Sequence, residues 1–223
     1  MGSETLIQLN KDIKNNLIQH FTLTPDKKLI PEQSYTVNSF LKSEILNNIS
    51  GKRVLDIGCN IGQFSFFTKQ AGAKYVLGVD IIKNKGFIDL ANRIKDFLNL
   101  DVNFKCISTS DNLLLEGKFD IILCMSVYHY MYHQYRSHDK IFSMFSQMCN
   151  ELYWENPWSM EDKSCNILFT KTMPEEIPNY TKDKILEAAS VYFNYKYLGL
   201  HGGKTRHTLY MKNKKFFVED KNG

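Results

Sequence analysis

The chain has 223 residues, 43% of them hydrophobic and 13% aromatic, which suits one large domain with a sizeable core and does not read as a disordered chain. Its net charge of +4 is spread along the chain, and only four of the 28 basic residues are arginines: Arg53, Arg93, Arg136 and Arg206. A dedicated nucleic-acid reader, which uses clustered guanidinium forks, is therefore not favoured. Five cysteines (Cys59, Cys106, Cys124, Cys149, Cys165) are widely spaced and form no CxxC pair, so reduced thiols in a reducing compartment are expected. There is no run of 18 apolar residues and no apolar leader near Met1, so neither a membrane span nor a secretory signal is expected. The expected location is cytoplasmic.

In chain order, residues 4–20 place Leu6, Ile7, Ile13, Leu17 and Ile18 at roughly helical spacing, and the two prolines in residues 21–35 mark irregular chain. Residues 36–50 carry Val37, Phe40, Leu41, Ile45 and Leu46 on one helical face, closed by Gly51. An alternation follows: strand 53–58, helix 62–72, strand 74–81, helix 86–100, strand 102–108, an apolar run over 119–127, and helix 138–152. Apolar strands separated by helices are the mark of a parallel sheet covered on both faces. The fifth strand is either 151–157 or 165–171; the first is preferred, which makes about 157–180 an insertion. Residues 181–193 read as an amphipathic helix capped by Thr181. Strands 195–202 and 206–213 then form a hairpin around a Gly-Gly-Lys-Thr turn. The fold class is α/β: a doubly wound, mostly parallel, seven-stranded sheet with an antiparallel C-terminal hairpin.

The stretch LDIGCNIG (55–62) carries the chemistry. A dinucleotide fingerprint needs GxGxxG, but Asn60 and Gln63 stand where its second and third glycines belong. A phosphate-cradling P-loop needs a Lys-Ser or Lys-Thr that is not there. What remains is a D-x-G-x-x-x-G turn. With VLGVDI (76–81) and FDIILCMSVYHY (119–130) in order behind it, residues 40–155 resemble the class I methyltransferases that use S-adenosylmethionine (SAM) and release S-adenosylhomocysteine.

That resemblance implies a Rossmann-like SAM-binding domain over 51–223 and an N-terminal helical or lid segment over 1–50. It places Asp56, Gly58, Asn60, Gly62 and Gln63 at the amino-acid end of the cofactor, and Asp80 with Ile81 at the ribose. Asp111 falls at the adenine, Met125 and Ser126 line the crevice after the fourth strand, and Tyr35 is a lid candidate. Near the fourth strand an NPPY or DPPY motif would mark N-methylation, but the chain reads CMSVYHY. His129 is the first candidate for a general base and His133 the second, while Glu155 can orient a histidine or bond an acceptor hydroxyl. There is no HExxH and no third ligand, so no metal is expected. The compact chain also resembles bacterial methyltransferases of surface-polysaccharide biosynthesis. The expected function is O-methylation of a small polar acceptor: a sugar, sugar nucleotide or phosphate-type group. An RNA acceptor and a non-catalytic SAM-binding subunit are the alternatives.

Overall fold

The computed structural model describes residues 3–16, 21–31, 44–107, 110–158, 160, 162–201 and 205–217. The chain forms two compact units, Met1–Asn112 and Leu113–Gly223. The first holds α1 (Ser3–Lys14), a short hairpin of β1 (Phe21–Leu23) and β2 (Leu29–Pro31), and α2 (Glu44–Asn47). It continues through β3 (Arg53–Ile57), α3 (Gln63–Gln70), β4 (Tyr75–Ile81), α4 (Lys85–Leu98) and β5 (Asn103–Ile107). β4 pairs in parallel with β3 on one side and β5 on the other. The apolar runs that predicted these strands are their buried residues: Val54, Leu55, Val76, Leu77 and Val79 are all within the core.

The second unit holds β6 (Phe119–Met125), α5 (Tyr128–Tyr135), α6 (His138–Met148), β7 (Cys149–Pro157), α7 (Lys163–Thr172), α8 (Lys182–Tyr192), β8 (Phe193–His201) and β9 (Arg206–Asn213). β6 and β7 are parallel, whereas β9 runs antiparallel to both β7 and β8. The strands β3–β9 make the mostly parallel seven-stranded sheet expected from the sequence, with its antiparallel C-terminal pair.

Two expectations need correction. Residues 21–31 are a hairpin rather than irregular chain: Thr24 and Lys27, the latter at φ 59°, close a turn around Pro25, and Leu23 and Leu29 are buried beside it. Between the two candidates for the fifth strand, 151–157 lies in β7 and 165–171 lies in α7. Cys165 and Phe169, four apart, are buried, while Ile167 between them is exposed, so that segment follows helical spacing. Of the helix expected over 36–50, Glu44–Asn47 is helical and residues 32–43 lie outside the described residues.

Inside the first unit the Phe104 ring fills a slot made by two glycines. A Cβ on Gly78 would stand 2.7 and 2.8 Å from ring atoms of Phe104 and 2.9 Å from Ser65 Oγ, and one on Gly62 would stand 2.5 Å from the ring. Phe66 meets Phe104 edge-on at 5.5 Å. Gly78 has an ordinary backbone conformation, so its role is space alone. Gly78→Ala is therefore expected to destabilise the protein by about 1–3 kcal/mol, the usual overpacking cost, and Phe104→Leu should recover part of that loss in thermal melts. An unchanged melting temperature for Gly78→Ala would contradict this packing.

Candidate functional site

In the first unit the site is built on the turn between β3 and α3. Gly58 at φ 71° lets the chain reverse, and the N–H groups of Gly58 and Cys59 both donate to the Val79 carbonyl, at 2.8 and 3.0 Å. Asn60, at φ 52°, donates its N–H to Asp80 Oδ2 at 2.9 Å. Its own Oδ1 accepts from the Ile61 N–H at 2.8 Å and from Asn16 Nδ2 at 2.7 Å. Gly62, at φ 85°, stands at the start of α3, followed by the buried Gln63. Asn60 is thus left-handed, and the group that fills the space beside Gly62 is the Phe104 ring.

Two carboxylates end the neighbouring strands β3 and β4, and both are buried. Asp56 accepts from the Ser65 hydroxyl at 2.6 Å. Burial is the main cause that pushes its pKa up to about 7, with the negative Asp80 adding to the rise and Ser65 opposing it. Asp80 Oδ1 accepts from the Ile81 N–H at 2.7 Å and from Asn84 Nδ2 at 2.8 Å. A carboxylate oxygen offers about two acceptor positions. Among the described residues, Oδ2 therefore keeps room for one ribose hydroxyl, and a grip on both hydroxyls would displace the Asn84 amide. Two buried acids held side by side suit a group carrying a sulfonium and an ammonium, because a cation relieves their repulsion. The residues present fit SAM on that ground. Asp111 falls in the turn Ser110–Glu116, with its side chain outside the described ones, and Tyr35 lies outside the described residues.

In the second unit, β6 ends at Met125 and the chain turns at Ser126, a non-glycine residue at φ 60°. Its N–H donates to the Glu155 carbonyl at 2.6 Å, and its hydroxyl accepts from Arg206 Nη1. Arg206 Nε stands 3.7 Å from Asp162, which also accepts from the Thr205 hydroxyl at 2.8 Å. Asn156 pins the same turn from β7: its Oδ1 accepts from the Tyr128 N–H at 2.7 Å and its Nδ2 donates to the Cys124 carbonyl at 2.9 Å. The buried Glu155 pairs with Met125 on β6 and with Thr208 on β9, so these three leave one face of the sheet.

The three sequence histidines separate here. His129, in the first turn of α5, is 1% exposed, and neither ring nitrogen has a hydrogen-bond partner among the described residues. Thr208 Oγ1 and Trp154 Nε1 are likewise buried without one. Burial first, and then the Arg206 charge, lower the His129 pKa to about 4, against smaller opposing effects of Asp162 and the Asn156 amide. His133 is half-buried one turn on. His138 is a core histidine: the Asn179 carbonyl, 3.0 Å from Nε2, can only accept, so Nε2 carries the proton and Nδ1 accepts from the Tyr128 hydroxyl at 2.7 Å. Its pKa is lowered to about 4, again mainly by burial.

Sequence reading missed Asn16, Ser65, Asn84, Asn156, Arg206 and Thr208. The Asn-Pro pair at 156–157 hinted at a turn-forming asparagine, and Ser65 lies in the first turn of α3, the helix that follows the Asp56 strand; Asn16 carries no local signal. Among the described residues no cluster of three or more metal-ligating side chains occurs, and no helix is long and apolar enough to cross a membrane.

The buried histidines fix an acid response. Both bind a proton more weakly folded, near pH 4, than unfolded, near 6.5, so below pH 6.5 the unfolded chain takes up more protons and stability falls toward pH 4. Asp56, raised to about 7, acts in the opposite sense, adding stability as pH falls through 7. Each group contributes roughly 1.4 kcal/mol per unit of pKa displacement. Denaturant melts of His129→Asn should show a shallower loss between pH 6.5 and 4 than the parent protein; an equal slope would contradict neutral burial of His129.

Residues 54–150 match the family described as "Methyltransferase domain". A tRNA U34 carboxymethyltransferase of Nautilia profundicola is 32% identical over 97 residues, covering 41% of this chain and 31% of the relative. A ubiquinone biosynthesis O-methyltransferase of Neisseria meningitidis serogroup C is 32% identical over 83 residues, 36% of this chain and 34% of the relative. The chain thus spans about a third of the length of these relatives. In fold it is similar to WbdD, with a TM-score of 0.68 and 18% identity over 93% of this chain and 41% of that one. The glycine turn, its two strand-end acids and the match over 54–150 together identify a class I SAM-dependent methyltransferase domain.

Proposed function

We propose that the protein is a SAM-dependent O-methyltransferase acting in the cytoplasm on a small polar acceptor, of the sugar, sugar-nucleotide or phosphate-type class used in surface-polysaccharide synthesis. The observation that carries this reading is His129, buried, neutral at physiological pH and, with the Asn156 amide beside it, lacking a well-formed hydrogen bond on either ring nitrogen among the described residues. Burying an imidazole without a hydrogen bond is costly, and a ligand hydroxyl supplies the missing partner. The likeness to an O-methyltransferase over 36% of the chain supports the same choice.

When bound, SAM supplies an electrophilic methyl group. In this reading Asp56, Gly58, Asn60, Gly62, Gln63, Asp80, Ile81 and Asp111 hold the cofactor, with Met125 and Ser126, and Tyr35 belongs to a lid within residues 1–50. His129 receives the acceptor hydroxyl's proton on a ring nitrogen as the oxygen becomes methylated. Glu155 and His133 orient the acceptor. Arg206, fixed on Ser126, places a positive charge at the same end of the second unit and favours an acceptor with a negative group. The relative named for tRNA raises an RNA acceptor, but two of the three lysines in the basic stretch 212–217 are spent internally: Lys212 on the Tyr210 ring and Lys214 on the Ser190 carbonyl.

The test is a panel of sugars, sugar nucleotides, phosphorylated small molecules and RNA with methyl-labelled cofactor. A hydroxyl-bearing small molecule should be methylated. His129→Asn should lower kcat on it by about 10²–10⁴, the usual contribution of a general base, with KM for the cofactor unchanged. Labelling of RNA alone, or full turnover by His129→Asn, would overturn the reading.

A further inference from the structure

A cleft lies in the second unit, where α8 meets the C-terminal hairpin. It has a volume of about 340 Å³, within the range that small ligands fill. Its wall is a stack of rings: Trp158 lies on His207 at 3.5 Å between centroids with planes 19° apart, and Tyr197 continues the stack at 5.8 Å and 22° from Trp158. The Tyr197 hydroxyl bonds His207 Nδ1 at 3.0 Å, which fixes that ring. Leu186 and Leu209 add apolar lining.

Two observations point to an occupant. Tyr195 and Tyr197 are 42% and 49% exposed, a large aromatic surface for packing alone to leave open. They stand two residues apart on one strand, so their side chains leave the same face about 6.6 Å apart. That strand spacing is nearly twice the 3.5 Å at which Trp158 and His207 already stack, so it matches the separation that one inserted flat ring needs better than that of a thicker, puckered sugar chair. The second observation is charge. Lys182, whose Nζ lies 5.3 Å from the Trp158 ring, is the one formally charged residue lining the cleft among the described residues. His207 is neutral at physiological pH, its pKa lowered to about 4 chiefly by burial and then by Lys182. The cleft therefore suits a flat ring joined to an anion.

We propose that this cleft binds a nucleoside monophosphate, with its base between Tyr195 and Tyr197 and its phosphate on Lys182. The inference is independent of which acceptor is methylated. Base stacking on aromatic side chains is sequence-tolerant, because every base offers a π-face, so the site ranks phosphate content above base identity.

The test is titration of the full chain with UMP, GMP and AMP and with the matching nucleosides, in saturating S-adenosylhomocysteine so that an adenosine pocket cannot answer for the cleft. Saturable binding is expected, with each monophosphate several-fold tighter than its nucleoside. Tyr195→Ala should weaken it about fivefold or more, Tyr195→Phe should restore it, and Lys182→Ala should erase the preference for phosphate. Tyr195 and Lys182 are exposed, so melting temperatures should not move. Three results overturn the proposal: no saturable nucleotide binding at millimolar concentration, binding undiminished by both Tyr195→Ala and Lys182→Ala, or binding of methyl glycosides in place of nucleotides.

Discussion

One carboxylate holds the cofactor turn in shape. Asp80 stands at the end of β4, yet its Oδ2 accepts from the backbone of Asn60, in the turn that follows β3. Without that acceptor, a buried N–H on a left-handed asparagine would have no partner, and such an orphan costs about 1–3 kcal/mol. The rest of the turn is referred to the same strand end, because Gly58 and Cys59 both donate to Val79. Asn16, just beyond α1, then reaches Asn60 Oδ1, so the N-terminal segment closes the network from the other side. A residue expected to bind ribose is in this structure also the residue that shapes the loop.

The second unit is organised in the same way by an amide. Asn156 satisfies the N–H that starts α5 and the carbonyl of Cys124 near the end of β6, which fixes the direction in which α5 leaves the sheet. His129 lies one residue into that helix, and its burial follows from the helix position. Tyr128 and His138 pack in nearly parallel planes beneath it, and Trp154 meets Tyr128 edge-on. Burial and then the Arg206 charge make His129 hard to protonate, and among the described residues neither of its ring nitrogens makes a well-formed hydrogen bond.

Much of this was legible in the sequence because it depends on local rules. The strands β3, β4 and β6 announced themselves as apolar runs, and the order D-x-G-x-x-x-G demanded a tight turn between strand and helix. His129 drew notice because it falls just past the apolar run 119–127, although β6 itself ends at Met125. What escaped notice depends on contacts distant in sequence. Gly62 was assigned to cofactor approach, but the atoms nearest its missing Cβ belong to Phe104, 42 positions along. Asn16 and Asn60 are 44 apart, and nothing near Asn16 marks it. The β1–β2 hairpin was hidden by prolines, and α7 was mistaken for a strand candidate because a short apolar run does not show its period.

The most direct measurement is calorimetric titration with S-adenosylhomocysteine of the parent protein and of Asp80→Asn, alongside NAD. The account predicts micromolar binding to the parent, none detectable to Asp80→Asn, and none of NAD to either. Equal affinity of the parent and Asp80→Asn for S-adenosylhomocysteine, or tighter binding of NAD, would contradict it.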